Sequence, residues 1–348
     1  MLPAGPREED LVPTRPLKSA LVTGAAGFIG STLVQRLLRQ GVQVVALDDL
    51  SRGHADSLPA HVPLIRCDVR DAEGVALALQ TLGKAPDAVF HLAGLILVGE
   101  SVHFPELYQS VNAGGTQVVV DACVQAGVQA LVLASSAAVL GSEQGGAEKL
   151  DEDAAIAPES PYGLSKWQAE QTLAAAVSTG RIAGAAMRFF NVTGAADGCA
   201  ERHDPESHLI PLAIRAAWQE LPELKVFGAD FATPDGTCLR DYVHIADVTQ
   251  ALIAAAELSI QQFRAGEPLF QVFHVGSGRG HSVLEVLQEV EKTLGLAVPR
   301  QIVGRREGDI AALVSEPSRM RAVLGVQPSS DLPAMVKDCA DALRRFRP

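Results

Sequence analysis

Residues 21–30 read LVTGAAGFIG, and this run constrains the fold more than any other part of the chain. Gly24, Gly27 and Gly30 form a GxxGxxG directly after a β-branched stretch and at the start of an amphipathic one. Glycines there let the backbone turn tightly and approach a pyrophosphate whose charge rests at the positive end of the next helix. A plain tight strand-to-helix turn uses the same residues, so context has to separate the two readings. The next stretch ends VVALDD, which sets Asp48 18 residues after Gly30. A carboxylate there accepts hydrogen bonds from ribose hydroxyls and repels a 2′-phosphate, which favours NAD over NADP. Asp49 adds negative charge, and Arg52 four residues after Asp48 opposes it.

The alternation continues. Strands are expected at 20–23, 42–48, 64–67, 88–92, 130–135 and 183–189, with helices at 28–40, 71–82, 105–126 and 161–177. Strands alternating with helices give an α/β fold with a doubly wound parallel sheet, and apolar runs such as LVLAS suit strands covered on both faces. After residue 190 the rhythm changes. Residues 191–211 are expected to form a long loop over a site and 228–241 a polar loop. Helices are expected at 210–220, 245–262, 283–294 and 332–346, with strands at 225–227 and 271–275. The organisation expected is an N-terminal extension (1–17), a cofactor domain (18–190) and a smaller, mixed α/β substrate domain (191–348). Segments near 228–247 and 270–278 are expected to pack back on the cofactor domain.

Composition narrows the function. The 348 residues hold 29 Lys+Arg against 41 Asp+Glu, a formal net charge of -12, which argues against nucleic acid as the main partner. No window approaches 18 uninterrupted apolar residues, so no membrane span is expected. The five cysteines are scattered without a CxxC, as in a reducing, cytoplasmic compartment. The first 17 residues have no apolar signal-peptide core and are expected to be a disordered extension or a short arm.

Catalytic candidates follow. Tyr162 and Lys166 form a Tyr-x-x-x-Lys, and positions four apart share one face of a helix. An ammonium beside a phenol stabilises phenolate, which makes a general base. Ser136, where the fifth expected strand ends, can bridge a substrate hydroxyl and the phenol, or serve only as a turn residue. Asp68 and Val69 follow the third strand, where they can meet an adenine edge, although Asp68 or Asp71 can equally cap a helix. Leu92, Ala93 and Gly94 end the fourth strand, where small residues admit a nicotinamide ribose. Arg240 adjoins Asp241 and Arg306 adjoins Glu307, so simple ion pairing with a neighbour is one reading of each. His203 and His208 are five apart, and His54 and His61 seven apart. None pairs with Cys or Glu in a zinc-like spacing, so no metal site is expected.

Taken together, TGAAGFIG, LDDLSRG, HLAGLILVGES, residues 112–116, SSAAVLG, SPYGLSK, RFFN, ESHLIP, VFGADFATPDGTCLRDYVH and RREGD resemble the extended short-chain dehydrogenase/reductase family, in its nucleotide-sugar epimerase branch. The resemblance covers about residues 18–340 and implies a Rossmann-like cofactor domain. Its implied activity is NAD-dependent 4-epimerisation of a UDP-hexose, UDP-galactose to UDP-glucose, by a cytoplasmic homodimer. Ser136, Tyr162 and Lys166 would be catalytic. Phe28, Ile29, Asp48, Asp68, Val69, Leu92, Ala93, Asn112 and Phe190 would line NAD. Asn191, His208, Leu209, Val226, Phe227, Arg240, Arg306 and Asp309 would hold the UDP-sugar, with Arg240 and Arg306 as bidentate forks on its diphosphate and Asp309 accepting from its ribose hydroxyls. The dimer would pair helices near 105–126 and 161–177. Departures are Ile96, where many relatives carry Lys, and Ala138 and Leu140, where Thr and Tyr are common. Leu313 stands at a sugar-pocket position and is compatible with an N-acetyl group. The competing readings are a 4-epimerase for UDP-GlcNAc or another UDP-sugar, a dehydrogenase that releases NADH, and a non-catalytic NAD-binding protein.

Overall fold

The computed structural model describes residues 17–141, 149–306 and 309–347. The expected N-terminal extension therefore lies outside the described residues, except Leu17, which is buried in the core. Six strands come early: β1 (Ser19–Thr23), β2 (Gln43–Asp48), β3 (Leu64–Arg66), β4 (Ala88–His91), β5 (Ala130–Ser136) and β6 (Ala183–Phe189). Later come β7 (Asn191–Thr193), β8 (Leu224–Phe227), β9 (Leu239–His244), β10 (Phe270–Val275), β11 (Gly280–Ser282), β12 (Arg300–Val303) and β13 (Ala312–Leu313). The helices are α1 (Phe28–Arg39), α2 (Ala72–Gln80), α3 (Val98–His103), α4 (Pro105–Tyr108), α5 (Gly115–Ala126), α6 (Pro161–Ser178), α7 (Leu209–Ala217), α8 (Ile245–Arg264), α9 (Val283–Leu294), α10 (Ser318–Leu324) and α11 (Leu332–Arg344).

The main sheet has seven strands in the order β3-β2-β1-β4-β5-β6-β10, every pair parallel. Residues alternate faces along a strand. Ala20 and Val22 of β1 therefore join α1 and α8 on one side, while Leu21 faces α2, α5 and α6 on the other. This two-sided burial is why the strands are apolar throughout. Leu33 and Leu37 of α1, one turn apart, are both fully buried, and each contributes roughly 2–3 kcal/mol by leaving water. The chain runs outward from β1 to β3, then returns to lay β4 on β1's other side. The crevice where the order reverses is the usual ligand position in such sheets.

The second half builds its own core from α7, α9, α11, Val226 and Tyr242. Two small sheets accompany it: β8 beside β12, and β9 flanked by β7, β11 and β13. Three expectations need correction. The helix expected at 105–126 is broken by a π-helical turn, Gln109–Gly114, between α4 and α5. The end of the expected polar loop, Leu239 to Asp241, is the start of β9. The loop expected at 191–211 opens with β7 and ends inside α7. The strands are short and take their conformation from partners distant in sequence, so no local period marks them.

Candidate active site

The carboxyl ends of the parallel strands deliver one predicted residue after another to a common edge. Gly24 turns the chain out of β1 with φ +65; a Cβ there would lie 2.6 Å from the Ala93 amide nitrogen. A Cβ on Gly30 would lie 2.1 Å from the Gly24 carbonyl oxygen, so α1 is pressed against the turn. Gly27 differs. A Cβ there would meet nothing closer than the Gly24 oxygen at 3.4 Å. It begins α1, no side chain among the described residues caps it, and the first turn carries no acidic residue. Phe28 and Ile29 supply the next two amides. The protein thus leaves both the space and the donors for a phosphate at Gly27.

Asp48 is buried, and burial raises its pKa above the carboxylate norm. It accepts from the Ala26 amide at 2.9 Å and the Leu50 amide at 2.9 Å, tying the second strand to the glycine turn. Asp49 is exposed and turned to the Ser51 amide at 2.8 Å. Arg52 donates to Glu100 at 2.8 Å and is thereby drawn to the helix α3. Asp68 is held below the usual carboxylate range by the Arg70 guanidinium, and Asp71, not Asp68, caps α2. Val69 is buried, its Cγ2 2.8 Å from where a Gly115 Cβ would stand.

Ser136, Tyr162 and Lys166 meet where β5 ends and α6 begins. Ser160 caps α6, Pro161 opens it, and Gly163 lets it close on the turn after Ser136; a Cβ there would be 2.2 Å from the Ala138 oxygen. The Ser136 hydroxyl oxygen accepts from the Ala138 amide at 3.1 Å. Burial raises the Tyr162 pKa and the Ser136 hydroxyl opposes it. Lys166 donates to the Ala134 carbonyl at 2.9 Å, and burial pushes its pKa down to about 8 against the charge of Glu170.

Asn112 sits in the π-helical turn. Its amide grips the Leu95 backbone, accepting at 2.8 Å and donating at 3.0 Å, and donates to Ser165 at 3.0 Å. A Cβ on Gly94 would lie 2.9 Å from the Asn112 Oδ1 and 3.2 Å from the Lys166 Nζ. Gly94, Asn112 and Lys166 therefore share one small space beside Leu92 and Ala93. Beneath it runs a chain that sequence reasoning missed. Ala93 donates to the Thr23 hydroxyl at 3.3 Å, and Thr23 meets His91 Nδ1 at 2.7 Å. His91 Nε2 meets Thr116 at 3.0 Å, and Thr116 donates to the Asn112 carbonyl at 2.6 Å. Thr116 spends its hydrogen on Asn112, so His91 carries its proton on Nε2. Burial, with the charge of Lys166, pushes His91 down to about 3, and it stays neutral.

The other half supplies charge and an apolar wall. Arg240 donates to the Leu239 and Ile310 carbonyls, both at 2.9 Å, and lies 3.7 Å from Asp309. Its sequence neighbour Asp241 is occupied elsewhere. That buried carboxylate accepts from the Ser277 amide (2.8 Å) and hydroxyl (2.6 Å), the Gly278 amide (3.0 Å), and the Ser315 amide (3.1 Å) and hydroxyl (2.5 Å). The Arg306 guanidinium lies 3.8 Å from the Phe227 ring centroid, beside buried Val226; its neighbour Glu307 is outside the described residues. Leu313 pairs in register with Arg240 and packs with Ala137, Val139 and Phe190. Asn191 pairs in register with Tyr242 across β7 and β9. His208 precedes Leu209 at the start of α7; burial opposes its protonation, but Glu206 and Glu201 hold its pKa up to about 9.

Comparison with known proteins agrees with this arrangement. The model of the NAD dependent epimerase/dehydratase family matches residues 20–266. The UDP-glucose 4-epimerase of Azospirillum brasilense is 38% identical over 313 residues, covering 89% of this chain and 87% of its own. A UDP-glucose 4-epimerase from Brucella ovis, solved in complex with NAD, superposes with a TM-score of 0.86 at 36% identity, covering 93% of this chain and 98% of its own. One from Stenotrophomonas maltophila, with bound NAD and formylated UDP-arabinopyranose, gives 0.87 at 36% identity, covering 95% and 98%.

Proposed function

The chain belongs to the NAD dependent epimerase/dehydratase family, and we propose that it interconverts UDP-galactose and UDP-glucose by inverting C4, with Tyr162 as the base. The observation that carries this is the convergence of Ser136, Tyr162 and Lys166 where β5 ends and α6 begins, with Gly94 beside Lys166 and open space for a phosphate at Gly27. NAD is the cofactor; when bound it takes the C4 hydride and returns it. Gly24, Gly27, Gly30, Phe28 and Ile29 would cradle its diphosphate, and Asp48 would accept from a ribose. Asp49, Asp68 and Val69 would border the adenosine end. Leu92, Ala93, Gly94, Asn112, Lys166 and Phe190 would hold the nicotinamide end.

Tyr162, as a phenolate to which the Ser136 hydroxyl donates, takes the 4-hydroxyl proton and becomes the phenol. Loss of hydride and proton leaves a 4-keto sugar. Arg240 and Arg306 keep the diphosphate anchored, Asp309 and Asn191 orient its surroundings, and Val226 with Phe227 cover the base. His208 and Leu209 border the diphosphate from α7. The keto-sugar turns within the pocket, takes hydride on the opposite face, and recovers its proton from Tyr162. Ala137 and Ala138 follow Ser136, and neither can exchange the further proton that eliminating water requires. Leu313 favours a second reading, a pocket that also admits UDP-GlcNAc.

No helix among the described residues is long and apolar enough to cross a membrane. The five cysteines are free and buried, which supports a cytoplasmic protein. Val102, Phe104, Leu107 and Leu164 are exposed apolar side chains on and beside α3, α4 and α6, which supports a homodimer through that face.

The test is to incubate purified protein, with no added cofactor, with UDP-galactose and follow the anomeric proton by NMR. UDP-glucose should appear without NADH accumulating. No conversion after NAD is added would overturn the assignment, and conversion of UDP-GlcNAc alone would replace it with the second reading.

A further inference from the structure

We infer that Glu201, His203 and His208 form a binding site for one divalent transition-metal cation such as Zn2+, in the loop that leads into α7. One ligand atom from each of the three residues lies within 4.8 Å of the others. Ligands about 2.0–2.2 Å from a tetrahedral metal are roughly 3.3–3.6 Å apart. The cluster brackets that spread: His203 Nδ1 is 2.7 Å and His208 Nδ1 3.8 Å from the Glu201 carboxylate oxygens.

The donors are already fixed. Glu201 accepts from the His203 amide at 3.1 Å, and Glu206 accepts from the Ser207 and His208 amides at 2.8 Å each and meets His208 Nδ1 at 2.7 Å. The two rings stand edge to face, 5.6 Å apart.

Charge completes the argument. The Glu201 and Glu206 side chains are only 9% and 1% exposed, and among the described residues their ion-pair partners are these two histidines alone. Arg202, between them in sequence, turns away to Asp56 and the Phe346 ring. Among the described residues Glu206 Oε2 is buried with no hydrogen-bond partner, so this pocket already holds more negative charge than its neutral contacts satisfy. Two imidazole nitrogens and a carboxylate suit Zn2+, Ni2+ or Cu2+ and discriminate against Mg2+ and Ca2+. Binding replaces any proton on the two Nδ1 atoms by the metal and releases it to solvent. The bound cation would cross-link Glu201 to His208 and fix the start of α7. Sequence spacing alone hides the set, because Glu201 stands two residues before His203 and seven before His208, outside the Cys/His spacings by which zinc sites are read from sequence.

The experiment uses untagged full-length protein, stripped with EDTA and titrated calorimetrically with ZnCl2 and, separately, MgCl2. One Zn2+ per chain should bind and Mg2+ should not. Glu201→Gln and His203→Asn should each weaken Zn2+ roughly 100-fold or more, with the metal-free melting curve checked for each. Absent Zn2+ saturation, or unchanged binding in both folded variants, overturns the site. Cobalt loading of the wild type needs no variant: weak ligand-field bands without a thiolate charge-transfer band support it, whereas a thiolate band assigns the metal to cysteine and overturns it. Every readout is independent of epimerase turnover.

Discussion

At Lys166 burial and charge work against each other. The side chain is buried, its ammonium donates to one backbone carbonyl, and its pKa is pushed down to about 8. Glu170, one turn on, opposes the shift. Its carboxylate is already gripped by Arg188 at 2.9 and 2.8 Å and by the Ser135 hydroxyl, so its help is limited. Between pH 8 and the ordinary lysine range, the unfolded chain holds this proton and the folded chain does not. Stability from this group therefore rises with pH across that window. In cofactor-stripped protein, Lys166→Met should be the more stable form near pH 7, and its advantage should shrink by about 2–3 kcal/mol as pH climbs through 8 toward 10.5. Denaturant melts of both proteins at several pH values check this; a constant difference would refute the burial argument.

Tyr162→Phe isolates the other member. The ring's edge-to-face packing on Tyr108, 6.3 Å between centroids, survives the change, and only the phenolic oxygen goes. Turnover should fall about 10²–10⁴-fold with NAD content retained; activity within tenfold of wild type would remove Tyr162 from the base role. Ser136, Tyr162 and Lys166 were legible in the sequence because their chemistry is carried by residue type at fixed spacing. His91 was not. Its two partners, Thr23 and Thr116, come from different elements, and only the folded sheet brings them to its two nitrogens.

Among the elements, the β1–α1 unit was the most legible, since every glycine in it answers a local geometric demand. The demands differ, which yields a discriminating prediction. Gly30→Ala puts a methyl 2.1 Å from a backbone carbonyl oxygen, so the fold itself must shift. A loss of roughly 2 kcal/mol or more is expected in the cofactor-free protein. Gly27→Ala meets only ordinary contacts, so the cofactor-free protein should melt near wild type while NAD binds much more weakly. Calorimetry and NAD titration on both variants check the pair; equal melting losses would mean that Gly27 serves packing and not phosphate. The π-helical turn shows the opposite case. The stretch 105–126 reads as one amphipathic segment, and the Gly114-Gly115 pair within it marks a weak point without specifying a π-helical turn at Gln109–Gly114. The turn is visible only from what it does, which is to bring Asn112 to Leu95 and Ser165.

At the scale of the molecule, the question is what holds the two halves in register. The cofactor half was legible because strand–helix alternation is a local pattern repeated four times among its six strands. The second half was less so, because β7, β9, β11 and β13 pair across segments far apart in sequence and are as short as two residues. Asp241 ties those segments together. Lying in β9 next to Arg240, it takes five donors from Ser277 and Gly278, just after the sheet strand β10, and from Ser315, just after β13. Gly276 has no room for a side chain there, since a Cβ would stand 2.6 Å from the same carboxylate. One buried carboxylate thus fixes Arg240 and Leu313 to the edge of the NAD sheet. In Asp241→Asn an amide group replaces one acceptor oxygen and turns donors toward donors. The cost should be about 2–4 kcal/mol of stability. If the tie sets the spacing between substrate and cofactor groups, KM for the UDP-sugar should rise several-fold while NAD content stays unchanged, because the glycine turn, Asp48 and Asn112 are anchored elsewhere. Melting, steady-state kinetics and cofactor content measured on one preparation decide it. Loss of NAD with KM unchanged would place the role of Asp241 in the sheet alone, and an unaltered melt would show that the five hydrogen bonds do not hold the halves together.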